Sequence, residues 1–214
     1  MAEKVSGVYA VTPDLADTEL LLFKVEAVVR GGVRIVQYRN KTASPLLQLA
    51  QLERLLAVCR RAGASLIVND DAQMAKRLGA DGVHLGREDG DAAAARRVLG
   101  PRKWIGVSCY NELQRARDAA EAGADYVAFG SFFASSTKPG AVHARPELLR
   151  EAKELGLPIV AIGGINAGNA GLLIEAGADA VAVVSALFDA ADPEGEARRL
   201  CGLFSRTTDH GTYR

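Results

Sequence analysis

Apolar positions along the chain fall into two alternating patterns. Short runs that barely alternate occur at Gly7–Thr12, Val33–Arg39, Ser65–Asp70, Gly82–Gly86, Trp104–Cys109, Tyr126–Phe132, Ile159–Ile165 and Ala180–Leu187. Runs of this kind predict strands buried on both faces. Between them, apolar residues recur at helical spacing. The clearest case is Leu46–Arg61, where Leu49, Leu52, Leu55, Leu56 and Cys59 share one face. Ser44 and Pro45 supply its N-cap and first-turn proline. Pro146–Leu155 and Pro193–Phe204 read as helices in the same way, as does Asp91–Leu99.

A weak repeat reinforces the alternation. Arg77-Leu-Gly-Ala-Asp81, Glu121-Ala-Gly-Ala-Asp125 and Glu175-Ala-Gly-Ala-Asp179 each close a helical pattern with glycine just before an apolar run. Strand–helix units repeated in this way over 214 residues predict an α/β fold. The expected architecture is one (β/α)8 TIM barrel of parallel strands over residues 1–204. Residues 205–214 lack an apolar pattern and are expected to form a disordered tail. A doubly wound open sheet competes, but it normally needs fewer strands, and no GxGxxG follows the first run.

Composition narrows the function. The 26 Lys+Arg balance 26 Asp+Glu, so the basic excess typical of nucleic-acid or membrane-surface proteins is missing. No apolar run approaches the roughly 18 residues of a membrane-spanning helix. The first residues are charged and enter a strand directly, without the shape of a signal peptide. The three cysteines, Cys59, Cys109 and Cys201, are odd in number and form no CxxC. A disulfide framework or zinc site is not expected, and a reducing cytoplasm is.

In a barrel, the active site forms where strands end and the following loops begin. Polar residues collect at those ends: Gln37, Arg39 and Lys41; Asn69, Asp70 and Asp71; Glu88 and Asp89; Ser108; Ser135, Ser136, Thr137 and Lys138; Gly163 and Gly164; Ser185. Gln37, Arg39 and Lys41 lie on one side of an extended segment and suit a polyanion, although a solvated basic loop would read alike. Asp70 and Asp89, from adjacent loops, can converge on one hard cation such as Mg²⁺. Helix capping is the alternative for each, and Asp71 is the better cap. The stretch Gly130–Gly140 carries hydroxyls and one cation, as anion-binding or closing loops do, or as a surface linker would. Gly163-Gly164 and Val184-Ser185 fall where barrels bind phosphate, and Gly164 would let a phosphate approach the backbone. No catalytic dyad is visible: His84 reads as a hydrogen-bonded barrel-interior residue and Cys109 as a packing residue. His143 and His210 read as loop and tail residues. Together these residues suggest two phosphorylated substrates, a metal on a diphosphate, and pyrophosphate as leaving group.

With these motifs in place the chain resembles the thiamine phosphate synthase family, from Gly7 to about Phe188. The resemblance rests on Gln37-Tyr-Arg-Asn-Lys41, Val68-Asn-Asp-Asp71, Asp81-Gly-Val-His-Leu-Gly86 with Glu88-Asp89, Gly106-Val-Ser-Cys109, Ser135-Ser-Thr-Lys138, Ile162-Gly-Gly-Ile165 and Val184-Ser185. Arg87, Tyr110 and Ser135 depart from the family pattern. The resemblance implies a transferase joining hydroxymethylpyrimidine diphosphate to a thiazole phosphate, with loss of pyrophosphate. It implies that Gln37, Tyr38, Arg39, Asn40, Lys41, Asn69, Ser108 and Lys138 hold the diphosphate substrate. Ser135, Ser136, Thr137, Gly164, Val184 and Ser185 would hold the thiazole phosphate, and Asp70 and Asp89 would hold Mg²⁺. Lys138, Arg39, Lys41 and Ser108 would act on the leaving group. The implied partners are two small phosphorylated substrates, with self-association left open. A thiazole tautomerase on the same barrel and a non-catalytic phosphate sensor are the rival readings.

Overall fold

A computed structural model describes residues 5–134 and 144–208. The strands are β1 (Gly7–Val11), β2 (Ile35–Tyr38), β3 (Ser65–Asn69), β4 (Gly82–Leu85), β5 (Trp104–Tyr110), β6 (Tyr126–Phe129), β7 (Ile159–Ile162) and β8 (Ala180–Val183). Each pairs in parallel with its sequence neighbours, and β8 pairs with β1, so the sheet closes into a barrel in simple chain order. This is the expected TIM barrel. The helices that cover it are α1 (Thr18–Arg30), α2 (Pro45–Ala62), α3 (Ala72–Leu78), α4 (Ala92–Leu99), α5 (Leu113–Glu121), α6 (Glu147–Ala152), α7 (Ala170–Glu175), α8 (Ser185–Phe188) and α9 (Pro193–Thr208).

The closure explains why the strands barely alternate. One strand face packs on the helices, through residues such as Val36, Leu66, Val83 and Val127. The other packs inside the barrel, where Tyr9, Ile35, Ile67, Tyr126, Val160 and Ala180 form a second cluster. Both faces are therefore apolar.

The repeated turn has a structural purpose at the end of the barrel where the strands begin. Asp81, Asp125 and Asp179 each accept a hydrogen bond from the backbone N–H of the preceding strand, at Leu66, Ile105 and Ile159 (2.9, 2.7 and 2.8 Å). Asp125 and Asp179 also pair with Arg96 and Lys153. One carboxylate thus ties together two neighbouring strands.

Several boundaries differ from expectation. The run Ala180–Leu187 divides: β8 stops at Val183 and α8 begins at Ser185. The last paired residue of β8 is Val183, opposite Ala10, and beyond it no neighbouring strand offers a backbone partner. The runs from Tyr126 and Ile159 likewise leave the sheet after Phe129 and Ile162. The chain end is also corrected. Helix α9 continues past Phe204 to Thr208, so residues 205–208 are helical, while 209–214 fall outside the described residues. No helix among the described residues is long and apolar enough to cross a membrane.

Candidate active site

The polar residues at the strand ends surround two cavities at one mouth of the barrel. The first, about 330 Å³, is lined by Arg39, Lys41, Asn69, Asp70, Arg87, Asp89 and their neighbours over β2–β5. The second, about 290 Å³, lies over β7, β8 and β1, against Gly163, Gly164, Ile165, Val184 and Ser185. Arg39, Asn69, His84 and Ser108 line both, so the two cavities meet at a seam.

Local sequence holds each side chain in place. Thr12 brackets Arg39: its hydroxyl accepts from Arg39 N and donates to Arg39 O, each at 2.9 Å. Asp14 lies 3.2 Å from the Arg39 guanidinium and accepts from Lys41 N at 2.8 Å. Arg115, from α5, donates to the carbonyls of Ser108 and Gly86 and so fixes the ends of two strands at once.

The helix-capping alternatives are resolved by geometry. Asp71 caps α3 by accepting from Met74 N at 2.8 Å. Asp91 caps α4. That leaves Asp70 and Asp89 free of capping. Asp70 sits in the left-handed region, with φ of 67°, a conformation that costs a non-glycine residue on the order of 1–3 kcal/mol. Its carboxylate and that of Asp89 face each other beside Gly86. Burial and the nearby Asp89 push the Asp70 carboxyl above its ordinary value, and Lys41, 3.4 Å away, offsets part of this. Two carboxylates held together at the cost of mutual repulsion fit a divalent cation. Among the described residues no larger cluster of metal-ligating side chains exists.

The resemblance groups Tyr38 and Asn40 with the diphosphate residues, but the structure turns both side chains away from the mouth. Tyr38 is buried against the helices, and its hydroxyl donates to Gln51 on α2 at 2.8 Å. Asn40 is 4 % exposed and donates to Leu15 O and Gln51. The period of two that turns Gln37 and Arg39 toward the mouth turns these two away. Gly164 has a further reason to be glycine. Its φ is 62°, and a Cβ there would overlap Phe133 and the carbonyl oxygen of Ala134, so the missing side chain makes room for the chain itself. Gly164 still lines the second cavity. Ser135, Ser136, Thr137 and Lys138 lie outside the described residues, as do His143 and His210.

Cys109 is fully buried, and burial pushes its thiol up to about 12, which suits packing and not nucleophilic attack. Two of the three departures, Arg87 and Tyr110, meet each other: the guanidinium lies 4.8 Å over the Tyr110 ring and pairs with Glu112. Sequence reasoning missed Tyr9, Thr12, Asp14 and Tyr126. The strand-end rule that found the other residues also points to Thr12 and Asp14 after β1. No local signal marks Tyr9 and Tyr126, which sit within apolar runs.

A family model described as thiamine monophosphate synthase matches residues 8–187. The chain belongs to the thiamine monophosphate synthase family. The chain is 57% identical over 201 residues to a thiamine-phosphate synthase of Methylobacillus flagellatus, covering 94% of this chain and 96% of the other. It is 55% identical to one of Azoarcus sp., covering 96% and 100%. Among solved structures, a thiamine phosphate pyrophosphorylase of Pyrococcus furiosus superposes with a TM-score of 0.83 at 32% identity, covering 94% and 96%.

Proposed function

We propose that this member of the family joins 4-amino-2-methyl-5-hydroxymethylpyrimidine diphosphate to 4-methyl-5-hydroxyethylthiazole phosphate, giving thiamine phosphate and pyrophosphate. The observation that carries this reading is the pair of cavities meeting at Arg39, Asn69, His84 and Ser108. One holds cations and facing carboxylates suited to a metal-bound diphosphate. The other holds the backbone turns suited to a single phosphate. The seam is where a bond between the two ligands would form.

Asp70 and Asp89 would hold Mg²⁺, which supplies charge neutralisation of the diphosphate. Arg39 and Lys41, with Lys138 from outside the described residues, would bind the diphosphate oxygens. Gln37, Asn69 and Ser108 would orient the pyrimidine end. Gly164, Val184 and Ser185 would hold the thiazole phosphate, with Ser135, Ser136 and Thr137. The methylene–oxygen bond breaks, its electron pair leaves on the diphosphate, and the amino-pyrimidine ring stabilises the resulting cation. The thiazole nitrogen lone pair then forms the new C–N bond. The barrier is charge separation, so cations fixed around the leaving group lower it. No protein nucleophile is needed, in keeping with a buried Cys109 and a buried His84.

The test is release of pyrophosphate by the purified protein with both substrates and Mg²⁺. The proposed reaction requires all three components. A tautomerase or a phosphate sensor would release none.

A further inference from the structure

Beneath the mouth, the barrel interior holds a continuous chain of polar groups. Gln37 Nε2 donates to the Tyr9 hydroxyl at 2.9 Å. The Tyr9 and Tyr126 hydroxyls are 2.8 Å apart. The Tyr126 hydroxyl lies 3.1 Å from His84 Nδ1. His84 Nε2 lies 2.9 Å from Ser108 Oγ. The chain draws on β2, β1, β6, β4 and β5, so only barrel closure assembles it.

Proton counting gives this chain a direction. Each phenol has one proton to donate, and a neutral imidazole has one donor and one acceptor nitrogen. A buried hydroxyl proton needs an acceptor. Tyr9 already accepts from Gln37, and its own proton finds an acceptor in the Tyr126 oxygen. The Tyr126 proton in turn finds its acceptor in His84 Nδ1, the arrangement that leaves no proton of the chain unpaired. That places the ring proton on Nε2, which donates to Ser108 Oγ. The serine oxygen is thereby occupied as an acceptor, and its proton points elsewhere. Ser108 lines both cavities, so that proton is presented at their seam. The groups stay neutral, as the count requires: burial raises both phenols and lowers His84 to about 4.

Backbone register supports the arrangement. His84, Gly106 and Tyr126 are cross-strand neighbours. A Cβ at Gly106 would overlap the Tyr126 ring, so the glycine lets that ring reach across β5. The ring stacks on His84 with centroids 5.6 Å apart.

We propose that Tyr9, Tyr126 and His84 are positioning residues that oblige Ser108 to donate its hydrogen bond to the diphosphate oxygen whose bond to the pyrimidine methylene breaks; this rests on the two-substrate reaction proposed above. The serine proton is shared with that oxygen and not transferred. The electron pair of the C–O bond ends on the same oxygen, so the hydrogen bond strengthens as the bond breaks. Such an interaction acts on kcat more than on KM. With the chain reversed, Ser108 would turn a lone pair toward growing negative charge.

The test combines a spectrum with kinetics. Nitrogen-15 NMR of the ring nitrogens, with His84 assigned through its loss in His84→Gln, should show Nε2 protonated and Nδ1 bare. Tyr126→Phe keeps the ring over Gly106 but removes the donor to Nδ1. It should mix the two tautomers and lower kcat about tenfold, the size of one hydrogen bond to a charged group, with both KM values unchanged. In a Ser108→Ala background the same change should add nothing. If Tyr126→Phe does not fold, Tyr9→Phe, one link further away, should shift the tautomer and kcat in the same direction. A protonated Nδ1 in the native protein overturns the proposal. So does a loss confined to KM, or an undiminished effect in the Ser108→Ala background. A native protein that releases no pyrophosphate would instead refute the proposed reaction, while the ring spectrum would still report the direction of the chain.

Discussion

Gly106 lies directly beneath the ring of Tyr126, close enough that a Cβ at position 106 would overlap the ring and its hydroxyl. Both residues are buried between strands, so the ring has little room to retreat. Gly106→Ala should therefore destabilise the fold by about 1–3 kcal/mol through overpacking. It should also lower kcat by displacing Tyr126 from His84. Urea unfolding and steady-state kinetics check this. An unchanged midpoint would mean that the ring moves aside without penalty.

Asp70 and Asp89 are free of capping, whereas Asp71 and Asp91 are caps. Asp70→Ala and Asp89→Ala should each cost at least about 10²-fold in turnover and shift the Mg²⁺ dependence to higher concentration. Asp71→Ala should instead cost about 1 kcal/mol of stability and leave the Mg²⁺ dependence alone. Near-normal turnover of Asp70→Ala at low Mg²⁺ would remove that residue from the proposed metal site.

Gly164 has a positive φ and is crowded by Phe133 and Ala134. Gly164→Ala should lose on the order of 1–3 kcal/mol of stability from backbone strain and raise both KM values. A selective rise in KM for the thiazole phosphate, with unaltered stability, would show that the glycine serves the ligand alone.

Burial lowers His84 from 6.5 to about 4. A depressed folded-state value means that the unfolded chain binds the proton more readily. The stability contribution is complete above pH 6.5 and is lost as the pH falls toward 4. The loss should be on the order of 3 kcal/mol in unfolding free energy. His84→Gln should lack this component of the acid dependence. The same slope in native protein and variant would assign the acid sensitivity to other groups.

Lys138, proposed to act on the leaving diphosphate, should affect turnover more than affinity. Lys138→Ala is expected to lower kcat by about 10²–10³ and to raise KM less. Lys138→Arg should recover only part of the rate, because a planar fork does not replace a point charge. A change in KM alone would reduce this lysine to a ground-state contact.

The sequence by itself determined the alternation of strands and helices, the barrel, and the ring of polar residues at one mouth. These are legible because burial on both strand faces removes the alternation of polar and apolar residues, and because strand ends are marked by polar residues a few positions apart. The family motifs added an expected partition of those residues between two substrates. The tertiary structure decided what depends on facing and register. It turned Tyr38 and Asn40 toward the helices, although they stand beside Gln37 and Arg39 in the chain. It assigned capping to Asp71 and Asp91 and left Asp70 and Asp89 facing each other. It brought Tyr9 to Tyr126, separated by 117 positions, because a closed barrel points alternate residues of every strand at one axis. No local pattern encodes such a meeting: each tyrosine looks like one more apolar residue in a buried strand until closure and register place its hydroxyl against a partner.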